Sequence, residues 1–259
     1  MKFQVFGNPD KPAVIMLPGS FCPASAMAYL YEELLEEACI IAPDYNGHYE
    51  GSPDFTTRQQ EAGEILNFLQ ENGISHAALI YGQSMGAEVG MELLSQMQRQ
   101  GLTFGSAFFD GAPMISLSKP YRALMRLKFS VMLRLIRSGS IEKVLKLGFV
   151  KRFTNGDTAC LRDTLMQMEP VARCVTKQTV RNETECCYTF DFPPMTEADQ
   201  RRVHFLYAEG EKAHTSCFRH VKAAYPAAEY QVISGYGHLT YSLRETDAYL
   251  NLLRTYLKA

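Results

Sequence analysis

The sequence predicts an α/β fold, in which a mostly parallel, doubly wound sheet carries helices on both faces and an inserted helical segment. Short apolar runs, typical of buried parallel strands, alternate with amphipathic helical segments along most of the chain. Between Pro113 and Gln200 the alternation stops, and helical periodicity continues there without strand runs. The alternation then resumes toward the C-terminus, which indicates an insertion placed on top of the sheet.

Each predicted element has a local reason. The run Ala13 to Leu17 reads AVIML, as expected of a strand buried on both faces. The helix from Thr57 to Glu71 ends just before Gly73, a residue typical of helix C-termini. The predicted strands are Lys2 to Val5, Ala13 to Leu17, Ile40 to Ala42, Ala77 to Tyr81, Ser106 to Phe109, Val203 to Tyr207 and Tyr230 to Ile233. The predicted helices outside the insertion are Ala24 to Cys39, Thr57 to Glu71, Ala87 to Gln100, Ser216 to Ala224 and Tyr241 to Leu257.

Composition narrows the function classes. The chain has 259 residues, 46% of them hydrophobic, which is enough to bury a core, and no apolar run approaches the ~20 residues of a spanning helix. The N-terminus lacks the apolar core of a signal peptide, so we expect a cytoplasmic protein. A net charge of −2 gives no reason to expect nucleic-acid binding. The seven Cys residues form no C-x-x-C pair, so we expect reduced structural thiols and no metal site, even at the vicinal Cys186 and Cys187.

The sharpest motif is the G-x-S-x-G at Gly82 to Gly86, with Ser84 at its centre. It follows the predicted strand that ends at Tyr81 and opens the helix that begins at Ala87. A nucleophilic serine needs this strand–turn–helix context, because a tight turn projects its hydroxyl above the sheet edge. Glycines on both sides remove side chains that would collide with the strand and the helix. The motif therefore marks Ser84 as a candidate nucleophile.

A serine hydroxyl needs a base within ~3 Å to react at neutral pH. Of six His residues, His238 is the best candidate, because it follows the last predicted strand in the loop Gly235 to His238. That loop lies at the carboxyl edge of the sheet, the edge that also carries Ser84 and where open α/β sheets bind ligands. His204 falls inside a strand run, and the other histidines, His48 among them, are interpreted as surface or loop residues.

Acyl chemistry also needs two backbone N–H groups that stabilise the negative charge on the substrate oxygen. Met85 supplies one at the amino end of the helix after the nucleophile. The loop after the strand ending at Leu17 reads Pro18-Gly19-Ser20-Phe21, and there Ser20 is the expected second donor.

These residues, in this order, make the sequence resemble the α/β-hydrolase superfamily. Pro18-Gly19-Ser20 stands where that family commonly has a His-Gly-x oxyanion loop, and Asn46 to Ser52 resembles its G-H-G-x-x-S loop. Gly82 to Gly86 matches the nucleophile elbow, and Gly237-His238 the histidine loop. The resemblance implies about seven strands and a cap inserted after the strand that ends near Phe109. It divides the chain into a core of residues 1–112 and 201–259 and a cap of residues 113–200.

The resemblance leaves the acid of the triad open. The family usually places it after the strand ending at Tyr207, three residues beyond a Gly. With Ala208 in the Gly position the acid is Glu211, whereas with Gly210 it falls on Ala213 and the triad is broken. We prefer Glu211, because the family's Gly directly abuts the strand. Asp110, where some members keep their acid, is the second candidate, and Glu209 is the third.

The predicted cap is strongly basic, with ten Lys or Arg and a single acid, Glu142, between Lys119 and Arg152. Such a helix can dock on a membrane surface or an acidic partner. The favoured interpretation is simpler, with apolar faces over a pocket and charges in water. Together these features predict a serine hydrolase for a small-molecule carboxylic ester or related acyl substrate, with no cofactor and no metal. Thioester and C–C bond hydrolysis, and a non-catalytic binding module on the same fold, remain alternatives. The sequence is silent on oligomeric state.

Overall fold

A computed structural model describes residues 1–211 and 214–258, apart from the side chain of His214. Its seven strands form one sheet in the order β1-β3-β2-β4-β5-β6-β7. The pairing of β1 with β3 is antiparallel and the other neighbours are parallel, which confirms the predicted fold class. The strands are β1 (Lys2–Phe6), β2 (Ala13–Leu17), β3 (Cys39–Asp44), β4 (His76–Gln83), β5 (Thr103–Asp110), β6 (Val203–Ala208) and β7 (Glu229–Ile233).

Helices flank the sheet and fill the long segment between β5 and β6. The α-helices of the described residues are α1 (Ala28–Tyr31), α2 (Arg58–Glu71), α3 (Met85–Arg99), α4 (Lys119–Arg137), α5 (Ile141–Leu145), α6 (Gly148–Phe153), α7 (Arg162–Gln167), α8 (Glu169–Cys174), α9 (Lys177–Tyr188), α10 (Glu197–Gln200), α11 (His214–Ala224), α12 (Thr240–Arg244) and α13 (Thr246–Leu257). Short 3-10 turns span Ala24–Met27, Glu32–Leu34 and Ala159–Leu161. No helix within the described ranges is long and apolar enough to cross a bilayer.

Two predicted helices are broken in the structure. The segment predicted as one helix from Ala24 to Cys39 consists of α1 between two 3-10 turns. It contains Glu32, Glu33, Glu36 and Glu37, and like charges four residues apart disfavour a continuous helix.

The predicted C-terminal helix is divided at Glu245, whose backbone leaves the helical region with φ −116° and ψ 49°. Contacts with other parts of the chain hold this break. The Tyr236 hydroxyl donates to the Glu245 carboxylate at 2.9 Å, and the neighbouring Arg244 pairs with Asp157. Tertiary contacts have therefore overridden a continuous local periodicity.

The sheet is covered on both faces. Alternate residues of β2 illustrate this: Ile15 packs in the cluster with α2 and α3, and Val14 in the cluster with α1 and α13. Residues such as Leu69 on α2 and Leu253 on α13 are fully buried against opposite faces. The site therefore rests on strands fixed from both sides, with their carboxyl ends at one edge.

The segment between β5 and β6 packs as a separate apolar cluster above that edge. Its members come from α4 to α9, and Phe21, in the loop after β2, completes it. None of the ten basic side chains between Lys119 and Arg152 is buried. On α4, however, the apolar side chains do not all point inward, because Tyr121, Leu124, Leu127 and Val131 are exposed.

Candidate active site

Ser84 lies on a strained turn between β4 and α3, with φ 52° and ψ −119°. Positive φ is uncommon for a residue other than glycine and persists only where surrounding packing enforces it. The packing around this turn leaves no room for a side chain at either glycine of the motif. A Cβ on Gly82 would lie 2.6 Å from the Gly86 carbonyl oxygen, and one on Gly86 would lie 2.1 Å from that of Leu17. The Ser84 N–H donates to the Asp110 carbonyl at 2.8 Å, which ties the turn to the end of β5.

His238 and Glu211 meet at the same edge. The Nδ1 atom of His238 lies 2.9 Å from Oε2 of Glu211, and both side chains are largely buried. Burial lowers the pKa of His238, but the charge of Glu211 and its hydrogen bond outweigh burial and raise the pKa above its ordinary value. A carboxylate on Nδ1 leaves the hydrogen-free Nε2 available as a base.

Gly111 lies between the His238 ring and the turn that carries Ser84. It follows Asp110, whose carbonyl accepts the Ser84 N–H, and it has a φ of +62°. A Cβ on Gly111 would lie 2.7 Å from both Cε1 and Nδ1 of His238, so the imidazole lies directly against this backbone. Among the described residues no hydrogen bond joins Ser84 Oγ to the His238 ring. The two side chains instead line one cavity, and such hydrogen bonds are often long before substrate binds.

Of the three candidate acids, Glu211 contacts His238, whereas Asp110 and Glu209 do not contact its ring by any hydrogen bond of the described chain. Asp110 is buried and accepts from the Tyr249 hydroxyl at 2.7 Å. Burial raises the pKa of Asp110 to about 7, and the hydrogen bond from Tyr249 opposes that rise. Glu209 is exposed. Ala213, the alternative acid position, lies outside the described residues.

The Gly19–Ser20 loop lies against Ser84. An ideal Cβ on Gly19 would be 3.5 Å from the Ser84 Cβ, an ordinary van der Waals distance, and Ser20 lines the cavity beside Ser84. Met85 is buried at the first position of α3. The next loop residue, Phe21, has a positive φ of 59°, so the backbone turns sharply immediately after Ser20.

A buried histidine–carboxylate pair lies behind this loop, and the sequence interpretation missed it. His48, interpreted as a surface or loop residue, lies in a loop but is only 3% exposed, and its Nε2 lies 2.7 Å from Oε1 of Glu183 on α9. The other Glu183 oxygen accepts the Phe21 N–H at 3.0 Å. One signal was available in the sequence, because Glu183 falls on the same helical face as the apolar Val180 and Cys187. A lone acid on an apolar face of a helix indicates a buried partner.

The cavity has a volume of about 190 Å³ and lies between the sheet edge and the inserted helices. Its floor carries Ser84, His238 and Ser20, and the inserted segment contributes aromatic and aliphatic walls. The apolar and sulfur-bearing walls are Phe21, Cys22, Pro113, Ile115, Phe129, Met132, Phe149, Val150, Phe153, Leu161, Leu165, Met168, Cys187, Tyr188, Cys217 and Leu239. No Lys or Arg of the described chain lines it, so the basic charges of the segment lie elsewhere. No cluster of three or more metal-ligating side chains occurs in residues 1–211 and 214–258.

Comparison with known proteins identifies the fold. The sequence matches no family model and no curated protein. The structure is similar to an alpha/beta hydrolase family protein from Desulfitobacterium hafniense, with a TM-score of 0.76 and 17% identity over 99% of this chain and 100% of that one. A bromoperoxidase from Bacillus anthracis gives a TM-score of 0.76 and 16% identity over 99% and 95%. An esterase from Exiguobacterium antarcticum gives a TM-score of 0.73 and 15% identity, over 99% of this chain and 95% of that one. The chain therefore has the α/β-hydrolase fold.

Proposed function

We propose that this chain with an α/β-hydrolase fold is a serine hydrolase that cleaves a carboxylic ester or related acyl substrate. The observation that carries the proposal is the convergence of Ser84, on its strained turn, and the His238–Glu211 pair on one apolar cavity. One fold supports many chemistries, whereas the residues of the site determine the reaction. Among similar structures, the name of the Exiguobacterium antarcticum protein, an esterase, agrees with this class.

In the proposed reaction, Nε2 of His238 takes the proton of the Ser84 hydroxyl as Oγ attacks the substrate carbonyl. Glu211 holds the imidazole in the required tautomer and stabilises the imidazolium. The amides of Ser20 and Met85 donate to the oxyanion of the tetrahedral intermediate. The imidazolium then gives its proton to the leaving alcohol, and the acyl group remains on Ser84. Water, deprotonated by the same histidine, attacks this ester. The second intermediate then collapses as the imidazolium returns its proton to Ser84 Oγ, which releases the carboxylic acid and restores the free enzyme.

The walls of the cavity indicate what kind of acyl group the substrate carries. We propose that residues 113–200 act as a cap, because helices of this segment supply most of the apolar lining. A cavity of about 190 Å³ without a cationic side chain fits a short, uncharged acyl chain better than a carboxylate or phosphate. The basic cap residues therefore give no reason to expect an anionic group beside Ser84.

A fluorophosphonate probe tests the proposal directly, since it forms a covalent adduct only with an activated serine. The wild-type chain should be labelled at neutral pH, and Ser84→Ala should abolish both the adduct and p-nitrophenyl ester hydrolysis. A series of p-nitrophenyl esters of increasing chain length then measures the acyl preference, with short chains expected to be best. A well-folded wild-type protein that forms no adduct would favour the binding-module alternative.

A further inference from the structure

The loop that carries Ser20 is held by two side chains from distant parts of the chain. Glu183 Oε2 accepts the Phe21 N–H at 3.0 Å, and the Cys22 carbonyl lies 3.2 Å from Nδ1 of His48. Glu183 and His48 themselves meet at 2.7 Å, with both side chains fully inaccessible to solvent. The pair thus binds the loop at two points, one on each side of Phe21.

The hydrogens of this network follow from what each atom can do. A backbone carbonyl only accepts, so Nδ1 of His48 must donate to Cys22. A further proton lies between Nε2 of His48 and Glu183, and an imidazolium facing a carboxylate satisfies every atom. Burial lowers the pKa of His48, but Glu183 and the more distant charge of Glu61 raise it above the ordinary value, in agreement with an imidazolium.

This arrangement restrains the backbone on the C-terminal side of Ser20, whose own N–H belongs to the preceding peptide group. The Phe21 N–H belongs to the peptide group that joins Ser20 to Phe21, so Glu183 fixes the plane of that peptide. The positive φ of Phe21 is unfavourable for a bulky side chain and needs such contacts to persist. Without Glu183 the loop would lose an acceptor for a buried N–H and would relax.

We propose that Glu183, an acid of the inserted segment, is a positioning residue for the oxyanion hole and acts through His48 and the peptide group after Ser20. This inference rests on the proposed function. It implies that the inserted helices do more than form the walls of the cavity, because one of them orients the catalytic backbone.

The test compares Glu183→Ala and Glu183→Gln with the wild-type enzyme. Removal of an oxyanion donor lowers kcat by ~10²–10³-fold. A donor that is only displaced should have a smaller effect, so we expect Glu183→Ala to lower kcat by ~10–100-fold with KM nearly unchanged. Glu183→Gln retains an acceptor for Phe21 and should recover part of the rate. The affinity of a trifluoromethyl ketone, whose adduct places an oxyanion in the same hole, should fall in parallel with kcat/KM.

A matched control exists in the other His–carboxylate pair, His204 and Glu229, which meet at 2.7 Å on β6 and β7. Glu229→Gln should leave kcat and inhibitor affinity unchanged. If Glu183→Ala lowers only the melting temperature, with kcat and inhibitor affinity retained, the positioning role is refuted. Activity that survives Ser84→Ala would instead refute the proposed function, so the two failures are distinguishable.

A second, independent observation concerns the outward surface of α4. Four of the seven large apolar side chains that are exposed among the described residues lie on this helix, namely Tyr121, Leu124, Leu127 and Val131. Their spacing places them on one stripe, here called the α4 stripe. The helix contains no acidic residue. A groove beside the stripe is lined by Arg126, Arg134, Arg137, Lys177 and Arg181, without any acidic side chain of the described chain.

An apolar stripe flanked by cationic side chains is complementary to a lipid surface with anionic headgroups. The inner side of the same helix carries Phe129 and Met132, which line the catalytic cavity. We infer that the α4 stripe docks this protein on membranes that contain anionic lipid, with the cavity wall directly behind the docking face. This inference does not depend on the identity of the nucleophile.

Vesicle sedimentation with the full chain tests it. We expect binding to vesicles of phosphatidylcholine that contain roughly 30–40% phosphatidylglycerol, because each cation near an anionic surface contributes about 1 kcal/mol to the binding free energy. This binding should fall strongly between low and high salt, because salt screens these charges. Leu124→Gln with Leu127→Gln should abolish binding without loss of stability, since both residues are exposed. Val232→Gln, an exposed apolar residue on β7, is the matched control.

Two results would overturn the docking inference. One is equal binding, or none, to neutral and anionic vesicles. The other is a dimer in light scattering that the double substitution on α4 dissociates, since the stripe would then be an interface between copies of the chain.

Discussion

Replacement of Glu211 by Gln should lower kcat by roughly four orders of magnitude, because an amide cannot do what this carboxylate does for His238. In the structure the carboxylate accepts from Nδ1 at 2.9 Å. A Gln can present its NH₂ group at that position, which favours the tautomer with hydrogen on Nε2 and removes the base. At about 1.36 kcal/mol per tenfold change in rate, this loss is about 5.5 kcal/mol of transition-state stabilisation.

The pH profile gives a second, independent readout. The base is active when neutral, so the acidic limb of kcat/KM reports the pKa of His238. Glu211 raises that pKa and burial lowers it, so without Glu211 only the lowering effect of burial and a smaller contribution from Asp110 remain. The acidic limb of Glu211→Gln should therefore move to lower pH while the plateau rate falls.

The assay is p-nitrophenyl ester hydrolysis between pH 4.5 and 9, with Asp110→Asn as the control. Asp110 is equally buried but bonded to Tyr249, so its replacement should cost less than about tenfold in kcat, as for a residue outside the proton-transfer step. The opposite pattern, with Asp110→Asn inactive and Glu211→Gln active, would refute the assignment of the acid.

Further predictions concern packing, stability and specificity. Gly111→Ala should lower kcat at least ~100-fold, because the new Cβ would displace the His238 ring, whereas Gly51→Ala, at a similar positive φ but in open space, should be active. Since burial raises the folded-state pKa of Asp110 to about 7, the folded protein holds a proton there that the unfolded chain loses near pH 4. The free energy of unfolding should thus fall as pH rises from about 4 to 7, and urea unfolding of Asp110→Asn should show a flatter dependence on pH over that range. Phe129→Ala should shift the preferred p-nitrophenyl ester toward longer chains, because it removes a cavity wall.

The sheet and the strained turn at Ser84 were predictable because their signals are local. An apolar run such as Ala13 to Leu17 indicates a buried strand without information from distant residues. The glycines beside Ser84 indicate a turn too crowded for larger side chains. The histidine loop was predictable since parallel strands end at one edge. These features require only short-range patterns and a single topological rule.

The remaining features depend on contacts between distant residues. His48 and Glu183 are 135 positions apart, and the sequence around either residue does not indicate that the other is its partner. The register that favoured Glu211 over Ala213 came from family resemblance, because one loop carboxylate resembles another in sequence. The broken C-terminal helix likewise depends on Tyr236 and Asp157, which lie outside it.

The bond from α9 to the Phe21 amide has a consequence for protein engineering. Lids of enzymes are often treated as interchangeable modules that alter selectivity and leave the chemistry intact. Here a foreign segment grafted in place of residues 113–200 would remove Glu183, the acceptor of the Phe21 N–H. A successful chimera must import a carboxylate at the equivalent of Glu183, or supply a new acceptor from the scaffold.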